Sequence, residues 1–515
     1  MSATNAFAGE PTQQIPPHAG WLKATVVLAT LMQVLDMTIA NVALPHMQAA
    51  LSANQESLSW VLTSYILASA VVLPITGWLS DRIGRRRLYL ASVGCFIFAS
   101  ILCGMAATLE AMVLFRVAQG VSGAFLTPLA QTVLLDSTPP EKHGRAMALF
   151  GMGVVLGPVL GPITGGWLTE NLDWRWVFFV NVPIGLIAMT GLWLLLPEAK
   201  RPPRRFDVTG FALLAVALAS LQLMLDRGEG KDWFESVEIW IEMIVAVSAF
   251  WMFMVHILTS NTPLFDRTML RDRNLAIAAV FQGVTGAIMV ASMALLPLML
   301  EGLLGYPVFD AGLLLATRGI GVILTMSVVG VLMERLAPSI LISVGLMIVA
   351  MSLWKMSQWS LDVSGMTVGI NGFIQGLGVG LLFVPISAVA FATLPARYRT
   401  DGSVMLNLTR SLGSSAGVSI VLAIFNRNAA VSHSDLVQYV TPYNMIDPTS
   451  LGLPEGLSQS VWIAFNSEVA RQATMIAFVD DFHFVMIFTL CAIPLAFLIR
   501  RPREKTRLDI PHLVE

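Results

Sequence analysis

The sequence predicts an all-helical integral membrane protein with fourteen spanning helices. Three observations predict it. Apolar residues make up 56% of the chain and charged residues only 12%, about half the charge with which a soluble domain covers its surface. The apolar residues come in runs of roughly 20, the length of helix that crosses a hydrocarbon core about 30 Å thick. Lys and Arg gather in every second loop, the bias of a chain that crosses a bilayer repeatedly. Strict apolar–polar alternation is absent, which argues against an outer-membrane barrel.

In chain order the runs lie at 22–44, 59–79, 87–106, 109–133, 146–166, 176–196, 208–225, 237–258, 275–299, 311–333, 338–356, 365–391, 402–425 and 482–499. Glu242 and His256 interrupt the eighth. With the N-terminus on the cytoplasmic side, the inner segments hold most of the basic residues. They include Arg82, Arg85, Arg86 and Arg87; Lys142 and Arg145; Lys200, Arg201, Arg204 and Arg205; Arg267, Arg271 and Arg273; and Arg500, Arg501 and Arg503. The outer loops hold only Arg175, Arg227, Lys231, Lys355, Arg427 and Arg471. One helix more or fewer would scramble this alternation, so an even count and two cytoplasmic termini are expected.

The chain divides into a tail at 1–20, a six-helix bundle at 21–200, an extra helix pair at 201–262, a second six-helix bundle at 263–500 and a tail at 501–515. The first tail carries Pro11, Pro16 and Pro17 and lacks the apolar core of a signal peptide. A long polar outer loop is expected at 426–480, with a short amphipathic helix near 455–476. It reads as a lid or connector, or as a docking surface for a periplasmic partner. A weak internal repeat joins the two bundles. Gln119-Gly120 precedes Pro139-Pro140 and Arg145, as Gln375-Gly376 precedes Pro395, Arg397 and Arg399. Gly77-Trp-Leu-Ser-Asp81-Arg82 has an echo in Gly330-Val-Leu-Met-Glu334-Arg335. Related halves are the mark of many secondary transporters, whose substrate site lies between them.

Several function classes are disfavoured. A net charge of −2 argues against a nucleic-acid partner. Cys95, Cys103 and Cys491 lie inside apolar runs, so neither disulfides nor a metal site is expected. The nucleotide-binding pattern Gly-x-x-x-x-Gly-Lys-Ser/Thr is absent, and no cofactor is expected.

Ionisable residues inside the runs are the chemical candidates, because such groups are costly in a bilayer. Asp36 lies about eight residues from the expected outer end of helix 1, and Arg116 seven from that of helix 4. At 1.5 Å per residue both sit roughly 10–12 Å below the outer surface. Equal depth permits contact, as a static ion pair or as a pair that exchanges a proton. Arg318 in helix 10 and Arg410 in helix 13, near Asn407, either line a cavity or hold helices together. Arg318 also admits an anionic substrate. Gln33, Asn41 and Gln119 are further cavity candidates. Glu242 reads as a headgroup contact, and Trp174 and Trp176 as outer aromatic-belt anchors.

Two motifs concern packing and gating. Gly77-Trp-Leu-Ser-Asp81-Arg82-Ile-Gly84-Arg85-Arg86-Arg87 joins helices 2 and 3. Gly77 allows close helix approach, and Asp81 is suited to cap a helix or pair with an arginine as a cytoplasmic latch. In helix 5, Gly153, Gly157, Gly161, Gly165 and Gly166 allow close packing, while Pro158 and Pro162 remove backbone donors.

The loop motif closely resembles the signature of the major facilitator superfamily between helices 2 and 3. Arg116-Val-Ala-Gln-Gly120 is similar to its helix-4 motif. The Gly153 to Gly166 stretch, with Pro158 and Pro162, is similar to its antiporter motif. Leu35-Asp36-Met-Thr38-Ile-Ala-Asn41-Val-Ala-Leu-Pro45 and Trp174-Arg-Trp-Val-Phe-Phe-Val-Asn181-Val-Pro183-Ile-Gly185 resemble the fourteen-helix drug:proton antiporters. Met224-Leu-Asp-Arg-Gly228 with Asp232-Trp-Phe234 resembles the EmrB branch. The resemblance covers nearly the whole chain and is weakest in 426–480. It implies a multi-pass protein of a bacterial inner membrane that exports small hydrophobic or amphipathic compounds, driven by the proton gradient. It also implies proton coupling at Asp36 and Arg116, and work with a periplasmic adaptor (a membrane fusion protein) and an outer-membrane channel. Rival readings are a dedicated proton-coupled transporter of one metabolite, fatty acid or siderophore, and a non-transport membrane sensor or enzyme.

Overall fold

A computed structural model of the chain describes residues 18–198, 204–439 and 455–499. The proline-containing first tail, the basic residues Lys200 and Arg201, and the C-terminal tail lie outside the described residues. Within them, fourteen helices are long and apolar enough to cross a membrane. They are α1 Ala19–Ala50, α2 Ser57–Ile83, α3 Arg85–Gly104, α4 Leu109–Asp136, α5 His143–Asn171, α6 Trp176–Leu195, α7 Val208–Arg227, α8 Val237–Thr259, α9 Arg273–Leu303, α10 Val308–Leu332, α11 Pro338–Met356, α12 Gly365–Ala392, α13 Ala396–Gln438 and α14 Ile463–Leu498. Below, the inner end of the molecule is the one that carries the arginine-rich turn between α2 and α3.

Helices α1 to α6 pack on one another, as do α9 to α14. The seam between these halves runs along α5 and α10, with α13 crossing onto α4 and onto the inner part of α2. Helix α7 packs against its pair-mate α8, and also reaches both α2 of the first half and α13 of the second. The extra pair therefore touches both halves. The small-residue pattern of α5 explains its central place. A Cβ added at Gly157 would come 2.5 Å from the Val34 side chain of α1, and one at Gly161 would come 2.2 Å from Thr38 Oγ1. The resulting groove brings Thr38 Oγ1 to 3.1 Å from the Gly157 carbonyl, to which it donates. Gly165 seats against Ile39 and Val42 in the same way. Pro158 and Pro162 lie inside α5 without ending it.

Three expectations need correction. Helix 1 runs on to Ala50 with Pro45 inside it, so Asp36 stands near its middle rather than near its outer end. The segment 426–480 is mostly helix, not loop. Helix α13 continues to Gln438, and the helix containing α14 already begins at Glu455. The expected amphipathic helix at 455–476 is the first half of that longer helix. Hydropathy marks where a helix leaves lipid, whereas the backbone stays helical until a breaker ends it. Finally, Trp174 is no belt anchor: it is 4% exposed and meets Phe178 edge-on. Trp176 is exposed as expected.

Candidate functional site

Asp36 is buried, with 1% of its surface exposed. A carboxylate there needs a counter-charge and donors for its lone pairs, and α4 and α6 supply them. Arg116 Nη1 from α4 lies 2.8 Å from Oδ2. Gln119 Nε2, one turn further along α4, donates to Oδ1 at 2.8 Å, and Asn181 Nδ2 from α6 donates to the same atom at 2.6 Å. Asn181 also donates to Ser100 Oγ of α3 at 3.0 Å, and Ser100 donates to the Phe178 carbonyl at 2.8 Å. Arg116 is held in turn. Its Nε donates to the Val61 carbonyl of α2 at 3.0 Å and its Nη1 to Gln119 Oε1 at 2.8 Å. The guanidinium lies over the Tyr65 ring at 4.8 Å and the Phe178 ring at 5.5 Å, positions that favour a cation. The contact that equal depth permitted is thus made. Asn181, Ser100 and Tyr65 complete it; from sequence Asn181 stood only as a position in the helix-6 motif, and Ser100 and Tyr65 did not stand out.

A second polar group lies where the halves meet. Asn407 Nδ2 of α13 donates to Gln131 Oε1 of α4 at 3.0 Å and to its own helix at Ser403 O, 2.8 Å away. Ser403 Oγ also donates to Gln131 Oε1. Arg410 Nη2 donates to Asn407 Oδ1 at 3.0 Å, and its guanidinium lies over the Phe383 ring. Gln33 of α1 accepts from Thr127 Oγ1 of α4 at 2.8 Å. Arg318 stands apart: it is buried in the second half, and its Nη2 reaches only the Met289 carbonyl, at 3.5 Å. Asn41 is exposed and joins neither group. Glu242 faces Arg227 at 3.8 Å, an ion pair inside the extra pair rather than a free headgroup contact.

The inner end carries the third group. Gly84 has φ +91° and ends the last turn of α2, so that α3 starts at Arg85 in a new direction. Arg85 pairs with Asp136 at the end of α4, and Asp136 also takes Arg399 of the second half at 2.6 Å. Arg82 lies over the Trp78 ring. Asp81 pairs with Arg204, at 2.8 Å, from the segment leading into α7. Arg204 reaches Asp401 of α13 as well, at 2.9 Å. Burial disfavours the Arg204 charge, but Asp401 and then Asp81 more than offset it and hold its pKa above the ordinary arginine value. Gly77 has no room for a side chain, because a Cβ there would come 1.7 Å from Asp401 Oδ1. On the other side of the molecule, Arg145 Nη2 of α5 meets Glu334 Oε1 after α10 at 3.0 Å. The inner end is therefore shut by charge pairs that join the halves.

Comparison with known proteins agrees with this layout. The Major Facilitator Superfamily model matches residues 26–418. The multidrug export protein EmrB of Haemophilus influenzae is 36% identical over 445 residues, 85% of this chain and 87% of that protein. EmrB of Escherichia coli K12 is 35% identical over 461 residues, 87% of this chain and 89% of that protein. The fatty acid resistance protein FarB of Neisseria gonorrhoeae is 33% identical over 496 residues, 95% and 98% of the two chains. Among solved structures, the human organic anion transporter MFSD10 superposes with a TM-score of 0.58 at 14% identity, over 92% of this chain and all of that one. That likeness is one of fold.

Proposed function

The chain belongs to the Major Facilitator Superfamily, and from that premise we propose a proton-driven exporter in which Asp36 carries the coupled proton. It is a transporter of the multidrug-efflux type and a multi-pass protein of the inner membrane. The observation that supports the coupling is the closed ring around Asp36: one arginine and two amides, all donating to a carboxylate in the middle of a spanning helix. Protonation removes the charge that Arg116 is paired with, and an unpaired buried guanidinium costs several kcal/mol, on the order of 3–5. Proton exchange at Asp36 therefore forces α1 and α4 to rearrange. Helix α1 is seated along the glycine groove of α5, and α5 forms the seam with α10. A local proton step thus acts on the packing between the halves. Substrate sits between the halves, near Gln33, Gln131, Asn407 and Arg410, and leaves against the proton. A periplasmic adaptor and an outer-membrane channel would complete the export path, and the projecting ends of α13 and α14 are where an adaptor would meet this chain. Both termini lie in the cytoplasm.

One observation favours amphipathic acids among the substrates. Arg318 and Arg410 lie within spanning helices of the second half, and among the described residues neither meets a carboxylate. The Asp36–Arg116 pair of the first half cancels its own charge, so Arg318 and Arg410 are the spanning-helix arginines left for the acid group of a substrate. A hydrophobic anion gains a partner there. The name of the relative FarB, a fatty acid resistance protein, fits this preference. The test is transport in proteoliposomes under an imposed pH gradient, with a hydrophobic weak acid and a hydrophobic cation as probes. Wild type moves substrate against the proton and Asp36→Asn does not, while Arg410→Gln lowers weak-acid flux more than cation flux. Gradient-driven flux through Asp36→Asn would remove Asp36 from the mechanism.

A further inference from the structure

At the inner end, carboxylates from opposite halves are brought to one gap, with an arginine of the linker between them. In the second half, Gly330 and Glu334 hold the places that Gly77 and Asp81 hold in the first. There the crossing residue is basic. Arg145 lies across Gly330, its Cγ 3.0 Å from the place of a Cβ, and its guanidinium reaches Glu334 at 3.0 Å. At the equivalent place in the first half the crossing residue is acidic. The Asp401 carboxylate lies across Gly77, on the same turn of helix as Asp81. Two like charges from opposite halves thus share one gap, and their repulsion would favour separation.

Arg204 occupies that gap. Its Nε lies 2.8 Å from Asp81 Oδ2, its Nη1 2.9 Å from Asp401 Oδ2 and its Nη2 3.3 Å from Asp401 Oδ1. The contact with Asp401 is two-pronged, the geometry in which a guanidinium binds a carboxylate best. The backbone of Arg204 is meanwhile fastened to the first half. Trp78 Nε1 donates to its carbonyl at 3.0 Å, and Phe206, two residues on, lies 4.5 Å from the Trp78 ring. We infer that Arg204 is a third component of the inner gate, a bolt carried by the first half that must release Asp401 whenever the inner side opens. This rests on the reading of the chain as an alternating-access transporter. It gives the extra helix pair a task in the cycle: the segment leading into α7 supplies the cation that the internal repeat lacks at this position.

The bolt makes a prediction that simple packing does not. Thr132 is fully buried just behind the gate, its Oγ1 3.4 Å from Thr400 Oγ1 across the halves. With Cys95, Cys103 and Cys491 replaced by alanine, Thr132→Cys reports gate opening by its rate of reaction with a bulky maleimide in nanodiscs. Arg204→Ala is expected to speed labelling about tenfold, a bias of roughly 1.4 kcal/mol. Adding Asp401→Asn, which removes the repulsion, restores protection. Arg204→Lys, which keeps the charge without the fork, falls between. Should Arg204→Ala not fold, Arg204→Gln with and without Asp401→Asn makes the same comparison. Unchanged labelling overturns the assignment, and so does labelling that Asp401→Asn fails to suppress, because a merely structural arginine would not be rescued by losing a second charge. The assay uses no substrate. A normal labelling response with no proton-linked flux would count against the exporter and leave the bolt standing.

Discussion

At the scale of single residues, the Asp36 ring separates what an ionisable side chain announces from what a neutral one conceals. Asp36 and Arg116 were legible because a charge inside an apolar run has few explanations other than a partner or a task. Asn181 was not. It lies inside the apolar run of α6, where sequence marks it only as one position of a family motif, and only the fold carries it to 2.6 Å from Asp36. Removing it tests its weight. Asn181→Ala takes one of two amide donors from Asp36 Oδ1 and leaves Ser100 Oγ without the hydrogen bond it accepts. A hydrogen bond to a charged group contributes about 1.5–3 kcal/mol. The variant should therefore unfold in detergent at a lower temperature than wild type and couple efflux to the proton less tightly. An unchanged midpoint and unchanged coupling would make Asn181 incidental.

At the scale of elements, the glycines of α5 were read correctly as a close-packing face, but the sequence did not name the helix they face. That helix is α1, and the contact sets the height of Asp36 within the first half. Gly161→Val puts its side chain where Thr38 stands, since even a Cβ there comes 2.2 Å from Thr38 Oγ1. Overpacking of this kind costs about 1–3 kcal/mol, and it should lower the thermal midpoint and slow transport together. Gly166→Ala is the matched control, because nothing lies within 4 Å of its Cβ position. Equal behaviour of the two variants would show that the groove does not constrain α1. The helix ends were the least legible elements. Helix α13 spans 40 residues from Arg399, about 60 Å at 1.5 Å per residue and twice the hydrocarbon thickness. Asn428, Ser432 and His433 are polar yet compatible with helix, so composition changes at the membrane surface while the backbone does not.

At the scale of the whole molecule, the arrangement is a transporter shut at its inner end, with Asp136, Asp401 and Glu334 each meeting a cation from the other half or from the linker. Sidedness is the open prediction here. A reporter inserted between Tyr439 and Glu455 should be accessible from the periplasm, and one at the N-terminus from the cytoplasm. Finding both on one side would defeat the count of fourteen crossings. The sequence by itself determined the fold class, the even number of helices, the repeat and the two ionisable residues, Asp36 and Arg116, that pair inside the first half. Each of these is a property of composition or spacing along the chain. Only the tertiary structure decided which glycine faces which helix, which amides complete the Asp36 ring, and that Arg204 lies between two carboxylates far from it in sequence. Those are matters of which helix faces rotate toward each other, and in a chain apolar on nearly every face no periodicity marks them in advance.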